Sequence, residues 1–368
     1  MTAVKGVNRP SFYIALLAVI VAAVVVALGA FTRLSHAGLG CPDWPTCYGH
    51  LWVPSSEADI QLANQSFVDT PVETDKTWPE QTHRIFASSL GVLTIVLAGF
   101  ALRYGRLLGQ PKRLPLFLVA LIVLQGLFGM WTVTLKLWPQ VVTAHLLGGF
   151  TTLALLWLLV LRLSGSRWRV SPQQINAINK LRSLCVVALL VVIIQIALGA
   201  WTSANYAALA CPDLPMCQNE WLPSNMDIKD GFNLFQHVGP NYLGGQLHSH
   251  ARVAIHFFHR IGAVLTACTL LLLVVVLLKT KEAHAQRMAF LITGVLFLQI
   301  GLGLSNVFFT LPLPVAVAHN CVGALLLLCL VTLNQRVWTV CLALQAAKVY
   351  PASLRRREPQ FNEADVVC

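Results

Sequence analysis

Four histidines lie inside long apolar stretches of the sequence, where an ionisable side chain is costly and usually functional. They are His83, His145, His259 and His319. Each lies near the start of its apolar stretch, so all four are expected at a similar depth. Imidazoles that face each other at equal depth on two helices can supply both axial ligands of a haem iron. The pattern predicts two such histidine pairs, and a hydrogen-bonded packing role is the alternative for any single histidine.

The residues beside the first histidine of each pair suggest further chemistry. Arg84 and Arg260 each follow a histidine directly, and a guanidinium there can bind a haem propionate. A snorkelling arginine at the membrane interface is the alternative. Three residues before the histidine stands Glu80 in one case and His256 in the other. A carboxylate at only one site suggests that this site performs chemistry while the other carries electrons. The alternative for Glu80 is a first-turn acid that favours the helix dipole.

Four of the ten cysteines form two pairs with the spacing C-x5-C, Cys41 with Cys47 and Cys211 with Cys217. The spacers CPDWPTC and CPDLPMC contain proline, which favours a turn that brings the sulfurs together. Disulfides form and persist outside the cytoplasm. Both pairs are interpreted as disulfides that staple a loop, and a redox-active role is an equal alternative for Cys41 and Cys47. A zinc site is disfavoured because this is not the usual ligand spacing.

The chain repeats its own plan, so every chemical feature above occurs twice. The matched segments are GAFTRLSHAGLGCPDWPTC with GAWTSANYAALACPDLPMC, THRIFASSLGVLT with FHRIGAVLTACTL, and LQGLFGMWTVTLKLWPQVVTAHLLGG with LQIGLGLSNVFFTLPLPVAVAHNCVG. Residues 1–170 and 171–340 are therefore predicted to be two related halves, followed by a tail at 341–368. Membrane proteins built from repeats often place functional sites at matching positions. The repeat-matched Gln125 and Gln299 are expected to bridge helices by hydrogen bonds.

The composition predicts an integral membrane protein, since 56% of residues are hydrophobic, 11% are charged and the mean hydropathy is +0.68. Eight apolar runs are long enough to cross the bilayer as helices. They lie near 10–31, 83–104, 114–136, 140–162, 183–204, 253–278, 287–309 and 313–335. The predicted fold is all-α, with eight transmembrane helices as two pseudo-symmetric four-helix bundles related by an axis along the membrane normal. A cleaved signal peptide is the disfavoured alternative for the first run.

The basic residues predict the orientation of the chain. Most of the 26 Lys and Arg residues fall on one side of the predicted spans, which places both termini in the cytoplasm. The two long polar segments, about 33–80 and 205–250, then lie outside and are expected to be structured caps. In a bacterium they face the periplasm from the inner (plasma) membrane. The net charge of +11 reflects this bias and contact with anionic lipid, and nucleic-acid binding is not indicated.

In combination, these motifs resemble those of the haem A synthase family. The resemblance is carried by GCPDWPTC, by the E-x-x-H-R motif of Glu80, His83 and Arg84, and by TAHLLGG, HFFHRIGA and AHNCVGA. It covers all eight spans and both outer segments. It implies that haem O, the substrate, lies between His83 and His145, while a haem b cofactor lies between His259 and His319. It further implies that Glu80 is an essential acid in the oxidation of a haem O methyl group to a formyl group.

Two other classes of function remain as alternatives at this point. A di-haem b membrane cytochrome that only transfers electrons explains the four histidines equally well, but not the unmatched Glu80 or the cysteine loops. A thiol–disulfide membrane protein would need repeat-matched cysteines within the helices, and those present are not matched. The sequence leaves open the electron donor or acceptor, an association with a haem O-producing enzyme, the formation of homo-oligomers and the role of His256.

Overall fold

The computed structural model describes residues 9–108 and 111–342. Within these ranges the regular secondary structure is almost entirely helical. The elements in chain order are α1 Arg9–Leu34, α2 Glu57–Ser66, α3 Thr74–Leu108, α4 Arg113–Thr134, α5 Pro139–Leu163, β1 Arg169–Val170, α6 Pro172–Lys180, α7 Arg182–Ala204, α8 Ile228–Gly231, α9 Ser249–Lys279, α10 Ala283–Phe308, α11 Leu313–Trp338 and β2 Cys341–Leu342. Strands β1 and β2 pair in parallel. From residue 343 onward, the predicted tail lies outside the described residues.

Among the described helices, eight are long and apolar enough to cross a membrane, which confirms the prediction of an all-helical integral membrane protein. They are α1, α3, α4, α5, α7, α9, α10 and α11. Many of their large apolar side chains are exposed, including Val92, Val123 and Leu272. Lipid covers such surfaces in a membrane, so the exposed apolar faces are expected rather than anomalous.

Three helices begin four or more residues earlier than their hydropathy predicts. Helix α3 begins at Thr74 instead of residue 83, α9 at Ser249 instead of residue 253, and α10 at Ala283 instead of residue 287. The added turns are polar, so a hydropathy profile cannot detect them. The side chain of His248 caps α9 by accepting a hydrogen bond from the amide of Ala251. Consequently Glu80 lies in the second turn of α3, and the interpretation of it as a first-turn acid is wrong.

Helices that carry histidines lie diagonally opposite each other in both halves. In residues 1–170, α1 and α4 each pack against both α3 and α5. In residues 171–340, α7 and α10 each pack against both α9 and α11. Among the described residues, α3 makes almost no backbone contact with α5, and α9 almost none with α11. In each half there is therefore space between the two helices that carry histidines. The pseudo-two-fold relation between the halves stays a prediction.

The two halves meet through α1, α5, α7 and α11. Helix α5 packs against α7 and α11, and α11 also packs against α1. Trp157 on α5 donates a hydrogen bond of 2.8 Å to the hydroxyl of Thr332 on α11. The apolar residues form two buried clusters, one around Leu153 and Leu156 and the other around Leu270 and Leu273. Ala324 and Leu327 of α11 belong to the first cluster, so this core extends across the interface between the halves.

Two polar segments lie at the same end of the helices, and we call them the first loop (residues 35–73) and the second loop (residues 205–248). The first contains α2 and the second contains α8. The second loop extends over the turn between α4 and α5 of the other half. There Trp138 donates to the carbonyl of Gln236 at 3.1 Å, and the amide of Tyr242 donates to the carbonyl of Lys136 at 2.9 Å. The second loop therefore partly covers the first half.

Candidate functional site

The structure brings His83 and His145 together across the diagonal between α3 and α5. Their ring centroids lie 6.3 Å apart and their planes cross at 81°. A metal–imidazole bond of about 2 Å, with the ring centroid about 1 Å behind the nitrogen, puts two axial rings on one metal about 6 Å apart. Nδ1 of each ring is buried beside a main-chain carbonyl, that of Val25 for His83 and that of Gln125 for His145, without a well-formed hydrogen bond. The separation of the rings fits a pair of axial ligands.

The second pair occupies the equivalent place, His259 on α9 and His319 on α11. Their surroundings are more polar than those of the first pair. Nε2 of Gln195 lies 3.1 Å from Nδ1 of His259, and Nε2 of Gln299 lies 3.4 Å from Nε2 of His319. Nδ1 of His319 is buried beside the main-chain carbonyl of Gln299. The donor set is again two imidazoles from diagonal helices, so this pair also fits one bis-histidine centre.

A glycine on a neighbouring helix lies against every one of the four imidazole rings. A Cβ on that glycine would come within 3.0 to 3.5 Å of the ring carbon Cε1. The pairs are Gly29 with His83, Gly129 with His145, Gly199 with His259 and Gly303 with His319. These glycines match each other in the repeat, and their small size lets the ring approach the neighbouring backbone. The sequence analysis did not identify these glycines as residues that position the histidines.

The two arginines next to the histidines hold the cysteine loops. Nη1 of Arg84 donates to the carbonyls of Asp43 and Thr46, both at 2.8 Å. Nη1 of Arg260 donates to the carbonyls of Asp213 and Met216 at 2.8 and 2.9 Å. Each Nη2 also reaches the carbonyl of the first cysteine of its loop. The predicted contact of these arginines with a haem propionate stays a prediction.

Glu80 and His256 perform the same structural task with different chemistry. Oε2 of Glu80 accepts a hydrogen bond of 3.0 Å from the amide of Cys41. Nδ1 of His256 accepts one of 3.1 Å from the amide of Cys211. Both side chains are buried. Only the carboxylate also pairs with its arginine, because Oε1 of Glu80 contacts Nη2 of Arg84. A neutral imidazole therefore suffices to hold the loop, and the charge of Glu80 is an addition specific to the first half.

Both cysteine pairs form disulfides in this structure, Cys41 with Cys47 and Cys211 with Cys217. All four cysteines are buried, and a backbone bridge follows each ring, between Cys47 and His50 and between Cys217 and Glu220. These four cysteines therefore offer no free thiolate to a zinc ion, which argues against the zinc site considered above. Because the arginine and the Glu or His anchors reach each ring from helix α3 or α9, each disulfide loop is fixed directly onto a histidine-bearing helix.

An aspartate inside each ring was missed by the sequence reasoning. Asp43 accepts hydrogen bonds from the amides of Tyr48 and Gly49 at 2.6 and 2.8 Å. Asp213 accepts them from Gln218 and Asn219 at 2.7 and 2.8 Å. Burial alone would raise the pKa of Asp43, but hydrogen bonds from Thr46, Gly49 and Tyr48 lower the pKa overall. Asp43 therefore remains an anion that organises the turn, a role that the repeated C-P-D triplet could have indicated.

Tyr48 closes the first loop from the other side. Its hydroxyl donates to the carbonyls of Thr70 and Pro71 at 3.1 and 3.2 Å. Burial, together with the nearby acids Glu73, Glu80 and Asp43, raises the pKa of Tyr48 to about 12. The phenol consequently stays protonated and remains a hydrogen-bond donor across the physiological range.

Fold and site together define a class: a polytopic helical membrane protein that holds two pairs of facing histidines beneath two disulfide loops. A family model described as COX15-CtaA, cytochrome oxidase assembly protein, matches residues 12–331. The chain belongs to this family, which confirms the resemblance found in its motifs.

Relatives in this family carry a shared name. The chain is 48% identical over 314 residues to a protein of Shewanella oneidensis named Heme A synthase, covering 85% of this chain and 92% of the relative. A protein of the same name from Caulobacter vibrioides is 28% identical over 340 residues, covering 87% of this chain and 94% of the relative. One from Halalkalibacterium halodurans is 25% identical over 310 residues, covering 82% and 89%. Similarity therefore extends through both halves.

Because each loop is held by its own arginine, removal of one arginine should weaken only the disulfide of the same half. In Arg84→Leu, the Cys41–Cys47 disulfide should become reducible at lower reductant concentrations, because three carbonyl acceptors lose their donor and the ring opens to solvent. Arg260→Leu should do the same to Cys211–Cys217. Mass spectrometry after graded reduction and alkylation measures both pairs in each variant, so each variant is the control for the other. Equal sensitivity of both pairs in wild type and variants would contradict the anchoring role.

Proposed function

We propose that this protein is a haem A synthase, an enzyme of haem A biosynthesis that oxidises a methyl substituent of haem O to a formyl group. Membership of the family and the 48% identity to a protein named Heme A synthase support the proposal. The structural observation that carries it is the pairing of His83 with His145 across an open diagonal, with the carboxylate of Glu80 one helical turn away on α3.

In this proposal the two histidine pairs have different occupants. His83 and His145 bind the substrate haem O, and His259 and His319 bind a resident haem b. When bound, haem b would supply one-electron transfer. The asymmetry between Glu80 and His256 at otherwise equivalent positions supports this division, because only the first half offers a charged carboxylate beside its histidine.

The protein's own groups would bind and orient the substrate and move protons at its edge. The overall change is two successive hydroxylations of one methyl carbon, followed by loss of water from the resulting diol to leave the formyl group. This is a four-electron oxidation of that carbon, so it requires an external oxidant in addition to the protein's own groups. Glu80 lies about 5 Å along the helix axis from His83, as one helical turn requires. A carboxylate at that distance from a ligand acts at the rim of a bound porphyrin rather than at its iron. It would accept a proton there or stabilise positive charge that develops on the carbon.

Arg84 and Arg260 gain a second role in this proposal. Each guanidinium already binds loop carbonyls beside its histidine. A haem propionate that reaches the same place would meet a fixed cation with a disulfide loop behind it. The arginines would then couple the position of each haem to the loop above it, while the first loop excludes water from the reacting edge.

The division of the two sites predicts different pigments in two histidine variants. His259→Ala should lose the haem b spectrum because one axial ligand of the resident haem is removed. His83→Ala should keep most of the haem b spectrum and lose haem A. Pyridine haemochrome spectra and chromatography of haems extracted from the purified full-length protein measure both. Loss of the same haem in both variants, or two equivalents of haem b as the sole pigment of the wild-type protein, would reject the assignment.

The loop-holding task shared by Glu80 and His256 allows the charge of Glu80 to be tested separately from its structural role. Glu80→His copies the second half, so the amide of Cys41 keeps a neutral acceptor, and Glu80→Gln keeps the size of the side chain. Both variants should retain haem b and the Cys41–Cys47 disulfide but make little or no haem A, with haem O or its hydroxymethyl form accumulating. Wild-type amounts of haem A in either variant would show that Glu80 only anchors the loop.

We also propose that both loops face the periplasm and both termini the cytoplasm of a bacterial inner membrane. The excess of Lys and Arg at the ends of the helices opposite the loops supports this orientation. Single cysteines at Leu51 and Trp221, two exposed loop residues, should react with a membrane-impermeant maleimide in spheroplasts. One at Lys112, in the connection between α3 and α4, should react only after the membrane is opened. The reverse labelling pattern would overturn the orientation.

A further inference from the structure

An arginine at the end of α1 reaches from the N-terminal half into the C-terminal half. Nη2 of Arg33 donates hydrogen bonds to the main-chain carbonyls of Ser203 and Ala204, the last two residues of α7. Its guanidinium also lies over the ring of Tyr206, with Cζ 3.9 Å from the ring centroid. A single side chain of the first half thus binds the end of a helix of the second half.

The end of α7 receives this cation from another helix because it has no cation of its own. The last carbonyls of a helix lack amide donors within the helix, and they form the negative end of the helix dipole. Helix α1 has a basic residue in its last turn, Arg33, whereas α7 has none. The residue of α7 that matches Arg33 in the repeat is Ser203 itself. The contact therefore runs in one direction, from α1 to α7.

The contacted turn of α7 is adjacent to the glycine that lies against His259. Ser203 follows Gly199 by four residues, which puts both on the same face of the helix. A Cβ on Gly199 would lie 3.2 Å from Cε1 of His259, so this stretch of α7 packs directly against the ring. In a close-packed interior such a contact transmits a small displacement of the helix to the side chain beside it. The position of His259 therefore depends on the helix end that Arg33 binds.

A second connection from the first half ends at the same turn of α7. The indole nitrogen of Trp138 donates to the carbonyl of Gln236, and Nε2 of Gln236 donates to Oδ1 of Asn205 at 3.2 Å. Nδ2 of Asn205 donates in turn to the carbonyl of Trp201 at 3.0 Å. The end of α7 is thus connected to the first half through α1 directly and through the second loop.

We propose that Arg33 is a positioning residue of the N-terminal half for the haem held in the C-terminal half. By fixing the last turn of α7, it keeps His259 in the orientation of an axial ligand. This inference rests on the proposed function, because it requires a haem ligated by His259. It makes the haem b centre dependent on the other half, so the two bundles act as one unit rather than as two independent haem proteins.

The test measures how firmly the full-length purified protein holds haem b. In Arg33→Leu, transfer of haem b to excess apomyoglobin should be about tenfold faster, the lower end of the cost of losing a group that orients a metal ligand. The low-spin EPR signal of the ferric haem b should also shift, because it reports on the arrangement of the two axial imidazoles, His259 and His319.

Two further variants separate the contact with α7 from a loss of charge. Arg33→Lys should transfer haem b at a rate between those of wild type and Arg33→Leu. An ammonium can still donate to the carbonyl of Ser203, but it lacks the planar fork that binds two acceptors and stacks on a ring. Lys76→Leu is the matched control, because it removes a cation at the same end of the first half whose partner is Glu73 of the first loop. It should leave both the transfer rate and the EPR signal unchanged.

A purely local role of Arg33 would affect its own half instead. Arg33→Leu would then weaken the Cys41–Cys47 disulfide or the yield of haem A while it held haem b as firmly as wild type, and this result would overturn the inference. Equal transfer rates in Arg33→Leu and Lys76→Leu would also overturn it. If Arg33→Leu does not assemble, Tyr206→Leu, which removes the ring under the guanidinium, should release haem b faster, and a wild-type rate there would reject the inference.

The proposed function fails by a different result. Absence of haem b from the wild-type protein, or its persistence in His259→Ala, would reject the proposed function and this inference with it. Haem b that is present in wild type, lost in His259→Ala and unaffected in Arg33→Leu would reject the role of Arg33 alone.

Discussion

The arrangement of this protein depends on one constraint: an imidazole inside a membrane bundle must be held by protein, because lipid offers it no hydrogen-bond partner. Each of the four rings satisfies the steric part of this constraint by lying against a glycine of an adjacent helix. The ring then faces across the bundle towards its diagonal partner, as the centroid distance of 6.3 Å between His83 and His145 illustrates. Helix packing and ligand geometry are therefore set by the same close contacts.

The disulfide loops extend this arrangement beyond the membrane. One turn of α3 carries, in order, the anchor for the first cysteine (Glu80), the histidine (His83) and the anchor for the loop carbonyls (Arg84). A movement of the loop would therefore be transmitted to the histidine through a rigid helix, and the reverse also holds. The same order in α9, with His256 in place of the glutamate, indicates that the mechanical link is common to both halves while the charge is not.

Small differences within the repeat give the two histidine pairs different surroundings. Glu80 against His256 changes the charge beside a histidine. The side-chain amide of Gln195 contacts the ring of His259, whereas the ring of His83 lies beside the main-chain carbonyl of Val25. The helices of both halves make the same pattern of neighbours. A duplicated bundle can in this way keep one arrangement of helices while its two histidine pairs differ in the charge and hydrogen bonding around them.

The sequence by itself determined the all-helical membrane fold, the eight spans and the four histidines, because these follow from local hydropathy and from the rarity of ionisable side chains in apolar segments. It also determined the cysteine pairing, since each pair is close in sequence. Tertiary structure alone decided that α3 begins at Thr74, that Arg84 binds loop carbonyls and that Gln195 meets His259. These features depend on contacts between segments far apart in the chain, and no local pattern of residue types encodes which distant carbonyl or ring a side chain will reach.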